Sequence, residues 1–388
     1  MPENTTPHIG TRVRDTRKRR GFTQRGLADA SGVSLSLIRQ LEQGTVAGTR
    51  METAHKLATA LRVPTSRLLE RDPEESVDDA PAEAWLPLQR AVQVPDQPAE
   101  EPTVTGVTAL LPAVRRAYFA NRLGELSALM PPLLRDTDAL GDSTAARTVR
   151  AHLLQIAGSV LTQVRAYDAA ETALQRALDD APDRLRGASI ITTWSWLLVR
   201  QGRLAASREL ATQWADDVEP RLSRATPEEL AAWGWLLLQA SAAALRDNRP
   251  GEAADMMRLA RAVAVMTGRE LPRGRDRLTT WGPVTVGYKA AERHIVLDQP
   301  DRVLAMAGAG SQAASTEYHR HRLDVARAHV MMRQYGEAVD ALQGVHEAAP
   351  EWLTQQRYAQ DILSDVVERR RTLTPQMRAL CEALSVSA

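Results

Sequence analysis

Residues able to make specific polar contacts gather in one stretch, Gln24 to Gly44, which reads QRGLADASGVSLSLIRQLEQG. Arg39 and Gln40 carry the multi-donor and amide groups that match base edges in a DNA major groove. Leu35, Ser36, Leu37 and Gln43 share their face of a predicted helix. That helix follows from apolar spacing: Leu27, Ala28, Val33, Ile38 and Leu41 suit two short helices over one small core. Gly32 falls at the corner between them, where a tight turn needs positive φ. Ser34 can cap the second helix, and Gly44 stands where it should stop.

Other chemistries find no such arrangement. The chain has no phosphate-cradling glycine loop, no His-Glu-x-x-His and no Gly-x-Ser-x-Gly. His319 and His321 lie two apart on a predicted helix, so they point about 200° apart and cannot share one ion. The single cysteine, Cys381, excludes an intramolecular disulfide and any multi-cysteine metal site. No catalytic residue, metal site or cofactor is expected. Charge is divided unevenly along the 388 residues. Ile9 to Glu70 holds twelve Lys/Arg against five Asp/Glu, a net of +7, and the remainder carries −6. A basic head on an acidic body is the footprint of a nucleic-acid-binding module attached to something else. No apolar run is long enough to span a membrane and MPENTTPH lacks signal-peptide form. A soluble, cytoplasmic protein is expected, and the Ala, Arg and Leu bias suits a high-GC bacterial genome.

The elements that must hold the polar cluster can be read outward from it. Met1 to Pro7 should fray. A first helix is predicted from Ile9 to Arg20, with Ile9, Val13 and Thr16 or Arg17 inward and Arg12, Lys18, Arg19 and Arg20 outward. Thr23 caps the next helix, weakened by Gly26 where a Glu would complete a capping box. Thr49 with Glu52 fits a capping box for a fourth helix ending near Leu61, and Pro64, Leu68 and Leu69 suggest a closing fifth turn.

The pattern Gln-x-x-Leu-Ala-x-x-x-Gly-Val-Ser-x-x-x-Ile-x-x-Leu-Glu-x-Gly resembles the helix-turn-helix of the phage-repressor-like (XRE) family across Ile9 to Glu70. The resemblance implies a five-helix DNA-binding fold that works as a two-fold dimer on near-palindromic sites. It places base reading on Leu35, Ser36, Arg39 and Gln40, with Leu35 and Leu37 suited either to thymine methyls or to a protein contact. It puts Gln24 on the DNA backbone while bracing the reading helix, and it pairs Arg17 with Glu42 as a partly buried ion pair. With Gln24, Arg25, Ser34 and Arg50, the base-reading residues form the expected DNA-contacting set.

Three units follow from these boundaries: residues 8–70 as the DNA-binding head, 71–106 as a linker, and 107–388 as a repeat body. The stretch RDPEESVDDAPAEA (71–84) is acidic and proline-bearing, which predicts freedom between head and body. Trp85, Leu86 and Leu88 should start a helix that docks on the body, and Val94 to Thr105 is a second loose stretch.

The body shows helical runs with short breaks and no strand alternation. Gly158, Leu161, Tyr167, Ala170, Leu174, Ala177 and Pro182 reproduce the tetratricopeptide spacing of two antiparallel helices. Ala326, His329, Tyr335, Ala338, Leu342, Val345 and Pro350 repeat it. Weaker units are anchored on Ala206, Ala253 and Val303. The fold class is therefore all-α, a helix-turn-helix head before a tetratricopeptide-like right-handed superhelix. If the signature fixes the register, the concave side carries His152, Gln155, Gln163, Trp235, Arg246, Tyr288, Glu292, Arg320 and Arg327, which would suit a peptide or polar small molecule. For any one of Trp194, Trp196, Trp233 and Trp235, core packing is the favoured expectation.

This layout resembles bacterial regulators governed by secreted peptides, the RRNPP group. It is more similar still to actinobacterial XRE–tetratricopeptide regulators, through WGPVTVGYKAAE from Trp281, RHRLDVARAH from Arg320 and the C-terminal LTPQMRALCEALSV. The expected function is a homodimeric, sequence-specific transcriptional regulator whose body senses a peptide or small-molecule effector. The alternative is an interaction adaptor in which the repeats hold a protein partner and the head serves assembly or is vestigial.

Overall fold

The computed structural model describes residues 8–46, 48–69, 83–94, 101–274, 277–308, 315–370 and 372–387. Met1–Pro7 and most of the linker stretch 71–84 lie outside them. Among the described residues there is no strand, only one antiparallel bridge between Leu271 and Trp281. No described helix is long and apolar enough to cross a membrane.

Five helices form the head: α1 (Ile9–Arg19), α2 (Gln24–Ser31), α3 (Leu35–Gln43), α4 (Met51–Leu61) and α5 (Ser66–Leu69). Their apolar faces meet over Val13, Leu27, Ile38, Leu41, Leu57, Leu61 and Leu68. Gly32 and Gly44 take φ of +68° and +73° at the ends of α2 and α3, so the tight corner and the helix stop both use the left-handed region. Thr16 and Arg17 are both buried. A Cβ at Gly10 would sit 1.7 Å from the Leu41 carbonyl oxygen, so α1 and α3 cross with their backbones in contact. The Thr49–Glu52 capping box does not form. Arg50, not Thr49, is the N-cap of α4 and makes no side-chain cap, so Glu52 is not at the third helical position a capping box needs, and it turns to Lys56 and Arg327.

The body begins with α6 (Leu86–Gln93), whose Leu88, Ala91 and Val92 join the first body core. Helical hairpins then follow: α7 (Val104–Phe119) with α8 (Leu123–Asp138), α9 (Thr144–Gln163) with α10 (Tyr167–Asp179), and α11 (Arg184–Arg200) with α12 (Leu204–Asp217). The next are α13 (Pro227–Arg246) with α14 (Pro250–Thr267), α15 (Pro283–Val296) with α16 (Pro300–Met306), and α17 (Thr316–Met331) with α18 (Tyr335–Ala348). The chain ends in α19 (Pro350–Thr354), α20 (Arg357–Val367) and α21 (Pro375–Leu384). A break at Gln355 and Gln356 separates α19 from α20.

One backbone device closes all six hairpins among the described residues. Asn121, Arg165, Gly202, Asn248, Asp298 and Arg333 each take positive φ at the turn. The following N–H then reaches back five residues: Arg122 to Ala117, Ala166 to Leu161, Arg203 to Leu198, Arg249 to Ala244, Gln299 to His294 and Gln334 to His329. These bonds satisfy carbonyls that a helix end would leave open. Five residues after the left-handed position comes a buried residue at the helix crossing: Leu126, Ala170, Ser207, Ala253, Val303 and Ala338. The third anchor is thus Ser207, not Ala206; its hydroxyl donates to the Ser195 carbonyl at 2.8 Å. Glycines open further crossings, with Leu174 against Gly158, Trp214 against Gly187 and Trp281 against Gly234.

The hairpins stack so that α7, α9, α11, α13, α15 and α17 contact in succession along the inner side. The stack curls until its ends meet. The Gly124 N–H donates to Glu351 at 2.7 Å, α8 touches α19, and Thr316 reaches Asn121. The loop between α14 and α15 folds inward, placing Leu278 in the first body core and the Thr280 carbonyl on the Trp235 indole N–H at 2.7 Å.

Replacing Gly10 with Ala should force α1 off α3 and lower unfolding free energy by about 1–3 kcal/mol. Chemical denaturation checks this, and an unchanged midpoint would show that the crossing is looser than described.

Candidate functional site

The head shows two faces with different roles. On α3 and its cap, Ser34, Ser36, Arg39 and Gln40 are exposed and Leu35 is half-buried; Arg25 on α2 is exposed beside them. Ser34 accepts from the Leu37 N–H at 3.3 Å, capping the helix. Behind this face sits a buried carboxylate. Glu42 accepts from the Arg17 guanidinium at 2.6 and 2.8 Å and from the Gln24 amide at 2.8 Å. Arg17 also donates to the Phe22 carbonyl at 2.7 Å. Burial alone would raise the Glu42 pKa, but the bonds from Arg17 and Gln24 and the Arg17 charge hold it below its ordinary value. The Arg17 pKa is raised, first by its bond to Glu42. Gln24 therefore braces α3 through Glu42.

The opposite face of the head, on α4 and α5, lies on the body. The turn at Arg246–Arg249 receives it. His55 Nδ1 lies 3.0 Å from the Arg246 carbonyl, the Ser66 N–H donates to Asp247 at 2.8 Å, and Asn248 donates to the Val63 carbonyl at 3.0 Å. Glu52 pairs with Arg327 of α17 at 3.2 Å, and Arg50 pairs with Asp361 of α20 at 3.1 Å. Among the expected DNA-contacting residues, Arg50 is thus the one paired with the body, while its side chain stays more than half exposed. The direct docking of α4 also differs from the free hinge predicted by linker composition: complementary charges on α4 and the inner helices supply contacts that composition cannot show.

Between the docked head and the inner helices lies a cavity of about 2040 Å³. Gln163, Trp235, Arg246, Tyr288, Glu292, Arg320 and Arg327 line it. His152 and Gln155 do not. Both are buried between helices, where His152 meets Arg115 and Arg186, and the Gln155 amide donates to the Ser189 carbonyl and the Ser189 and Thr193 hydroxyls. The tryptophans divide: Trp196 lines the cavity, Trp194 and Trp233 pack in the cores, and Trp235 does both, lining the cavity while buried in the same core as Trp233. Sequence reasoning missed Arg200, Lys289 and Asp324. Spacing could have found Arg200, one turn beyond Trp196, and Lys289, one turn before Glu292.

Charges on the cavity wall are strongly perturbed. Glu292 accepts from Arg246 and Lys289, each at 2.5 Å. Burial opposes its ionisation, but the two cations override that and hold it well below the usual carboxylate range. Asp324, also buried, is pushed up to about 8 by burial and then by the Glu292 charge. The His321 ring stacks on Tyr288 with centroids 4.7 Å apart, and burial lowers its pKa to about 4.

Residues 13–68 match the family described as Helix-turn-helix. The head is a helix-turn-helix. Among solved structures, the crystal structure of Bacillus thuringiensis PlcR in complex with the peptide PapR7 and DNA is similar, at 12% identity over 87% of this chain and 99% of that chain, with a TM-score of 0.34. No curated protein matches the chain.

Replacing Arg17 with Met strands the Glu42 carboxylate and should cost the head about 3–5 kcal/mol; a loss under about 1 kcal/mol in chemical denaturation would contradict the buried pair. Asp324 offers a pH test. The folded chain keeps a proton there that the unfolded chain releases near pH 3.9, so stability falls as pH rises from about 4 towards about 8. The Tm gain of Asp324→Asn should therefore grow between pH 5 and pH 8, and a gain independent of pH would refute the assignment.

Proposed function

We propose that this chain is a sequence-specific DNA-binding transcriptional regulator. In this reading it acts in the cytoplasm as a homodimer on a near-palindromic operator. Residues 8–70 read DNA, 71–106 connect and dock α6 on the body, and 107–388 form a tetratricopeptide-like superhelix that senses a peptide or small-molecule effector and contributes to dimerisation.

The observation that carries the reading is the two-faced head. Ser36, Arg39 and Gln40 stand exposed on α3 while α4 docks on the rim of a large cavity. A reading helix needs its outer face open to enter a major groove. The dock gives the cavity a physical route to the head. Arg246 serves both sides, its carbonyl facing His55 and its guanidinium holding Glu292 in the cavity wall. An occupant that moves Glu292 or Arg246 changes the surface on which the head rests.

Selection of bound genomic fragments, followed by affinity measurement on the recovered site, tests the reading. Specific binding should weaken steeply with salt as phosphate contacts release counterions. Arg39→Ala with Gln40→Ala should reduce discrimination between the site and random duplex by about tenfold or more while leaving the thermal transition in place. Absence of sequence preference at physiological salt would overturn the proposal.

A further inference from the structure

In the cavity wall, the guanidinium groups of Arg200 and Arg320 have no hydrogen-bonded acceptor among the described residues. Arg320, on α17, lies 4.6 Å over the Trp196 ring and 5.8 Å from the Trp352 centroid. Arg200 lies one turn beyond Trp196 on α11, and its Nε is buried without a partner. Among the described residues, neither side chain makes a hydrogen bond or ion pair. Burial lowers the Arg320 pKa to about 10, and the charge of Arg200 pushes the same way. Two like charges that act on each other across a partly desolvated wall favour an anion there.

Nearby acids do not supply it. Glu292 is already held by Arg246 and Lys289. Glu317 acts on Arg320 through its charge but makes no side-chain bond to it, one of its oxygens is buried without a partner, and burial raises its pKa. Around the whole cavity, eleven Arg and Lys stand against six Asp and Glu, so the excess charge is positive. Further acceptors and donors are open in the same wall: Gln163 Oε1 and both ring nitrogens of His321 have no partner, and both residues are more than nine-tenths buried.

We propose that the cavity takes a carboxylate-bearing organic ligand, its acid group gripped by Arg200 and Arg320 and a planar or apolar portion lying along Trp196. This rests on the effector-sensing reading above and names the chemistry of the effector. Guanidinium forks match carboxylate oxygens in pairs, which gives direction as well as attraction. Gln163 and His321 then hydrogen-bond the remainder of the ligand. A free peptide C-terminus and a small organic acid share this chemistry.

The test uses the full-length protein and two fluorescent probes of nearly equal shape, 8-anilino-1-naphthalenesulfonate and neutral N-phenyl-1-naphthylamine. Energy transfer from tryptophan should show the sulfonate binding roughly tenfold or more tighter than the neutral probe, as expected for a charge-assisted contact. Arg200→Gln and Arg320→Gln should each remove that preference, while Arg261→Gln, at an exposed position on α14, should keep it. Displacement by indole-3-acetate, and by a hexapeptide mixture with free but not amidated C-termini, separates the small acid from the peptide terminus. Equal affinity for both probes, indifference to both arginine variants, or equal displacement by acid and amide would overturn the proposal. Operator binding measured on the same preparations keeps the two ideas apart. Its loss with the sulfonate preference intact sinks the regulator, and the reverse sinks only the acid site.

Discussion

The turn Arg246–Arg249 bears the relation between the two halves of the molecule. It exists because α13 must end in a left-handed residue for the hairpin to close, and Asn248 supplies that conformation. The same geometry lifts the Arg246 carbonyl, the Asp247 carboxylate and the Asn248 amide toward α4 and α5. Asp247 is fully buried beneath the head, with Arg249 beside it. A buried carboxylate in contact with a backbone N–H and a guanidinium is costly to uncover, so this turn resists separation in a way that the half-exposed Arg50–Asp361 pair does not. The body thus holds the head by a feature that its own repeat geometry already requires.

Within the head, the order of dependence runs through Glu42. It ties α1, by Arg17, to the start of α2, by Gln24, and fixes the end of α3. The bare backbone contact at Gly10 lets α1 come close enough for Arg17 to reach it. The outward set on α3 is therefore presented by a frame whose polar centre is fully bonded, and fully bonded networks rigidify.

Much of this was legible in residue types. Gly32, Gly44 and the apolar spacing between them located α2 and α3 because those positions depend on chirality and burial, which the letters report. Gly158 to Pro182 and Ala326 to Pro350 showed two hairpins for the same reason. The pair α7 and α8 was not counted among the repeat units because Leu126 replaces the small crossing residue, and Pro112, Pro131 and Pro132 add to the departure from the pattern. The Ala206 anchor slipped by one because the turn is set by a backbone angle that Asn, Arg, Gly and Asp all adopt here, leaving no constant letter. The cavity was half legible. Helical register placed Tyr288, Glu292, Arg320 and Arg327 on its wall, but His152 and Gln155 were drawn inward by Arg186 and Ser189, partners over thirty residues away in sequence. Docking of α4 left no local signal, since Glu52 and Arg327 lie 275 residues apart.

The meeting of Gly124 with Glu351 changes what kind of object the stack is. An open array of hairpins can gain or lose a unit with only local effect. Here an added hairpin would carry Glu351 past Gly124, and a missing one would leave it short. Length variation that open arrays tolerate would here break the contact between α8 and α19.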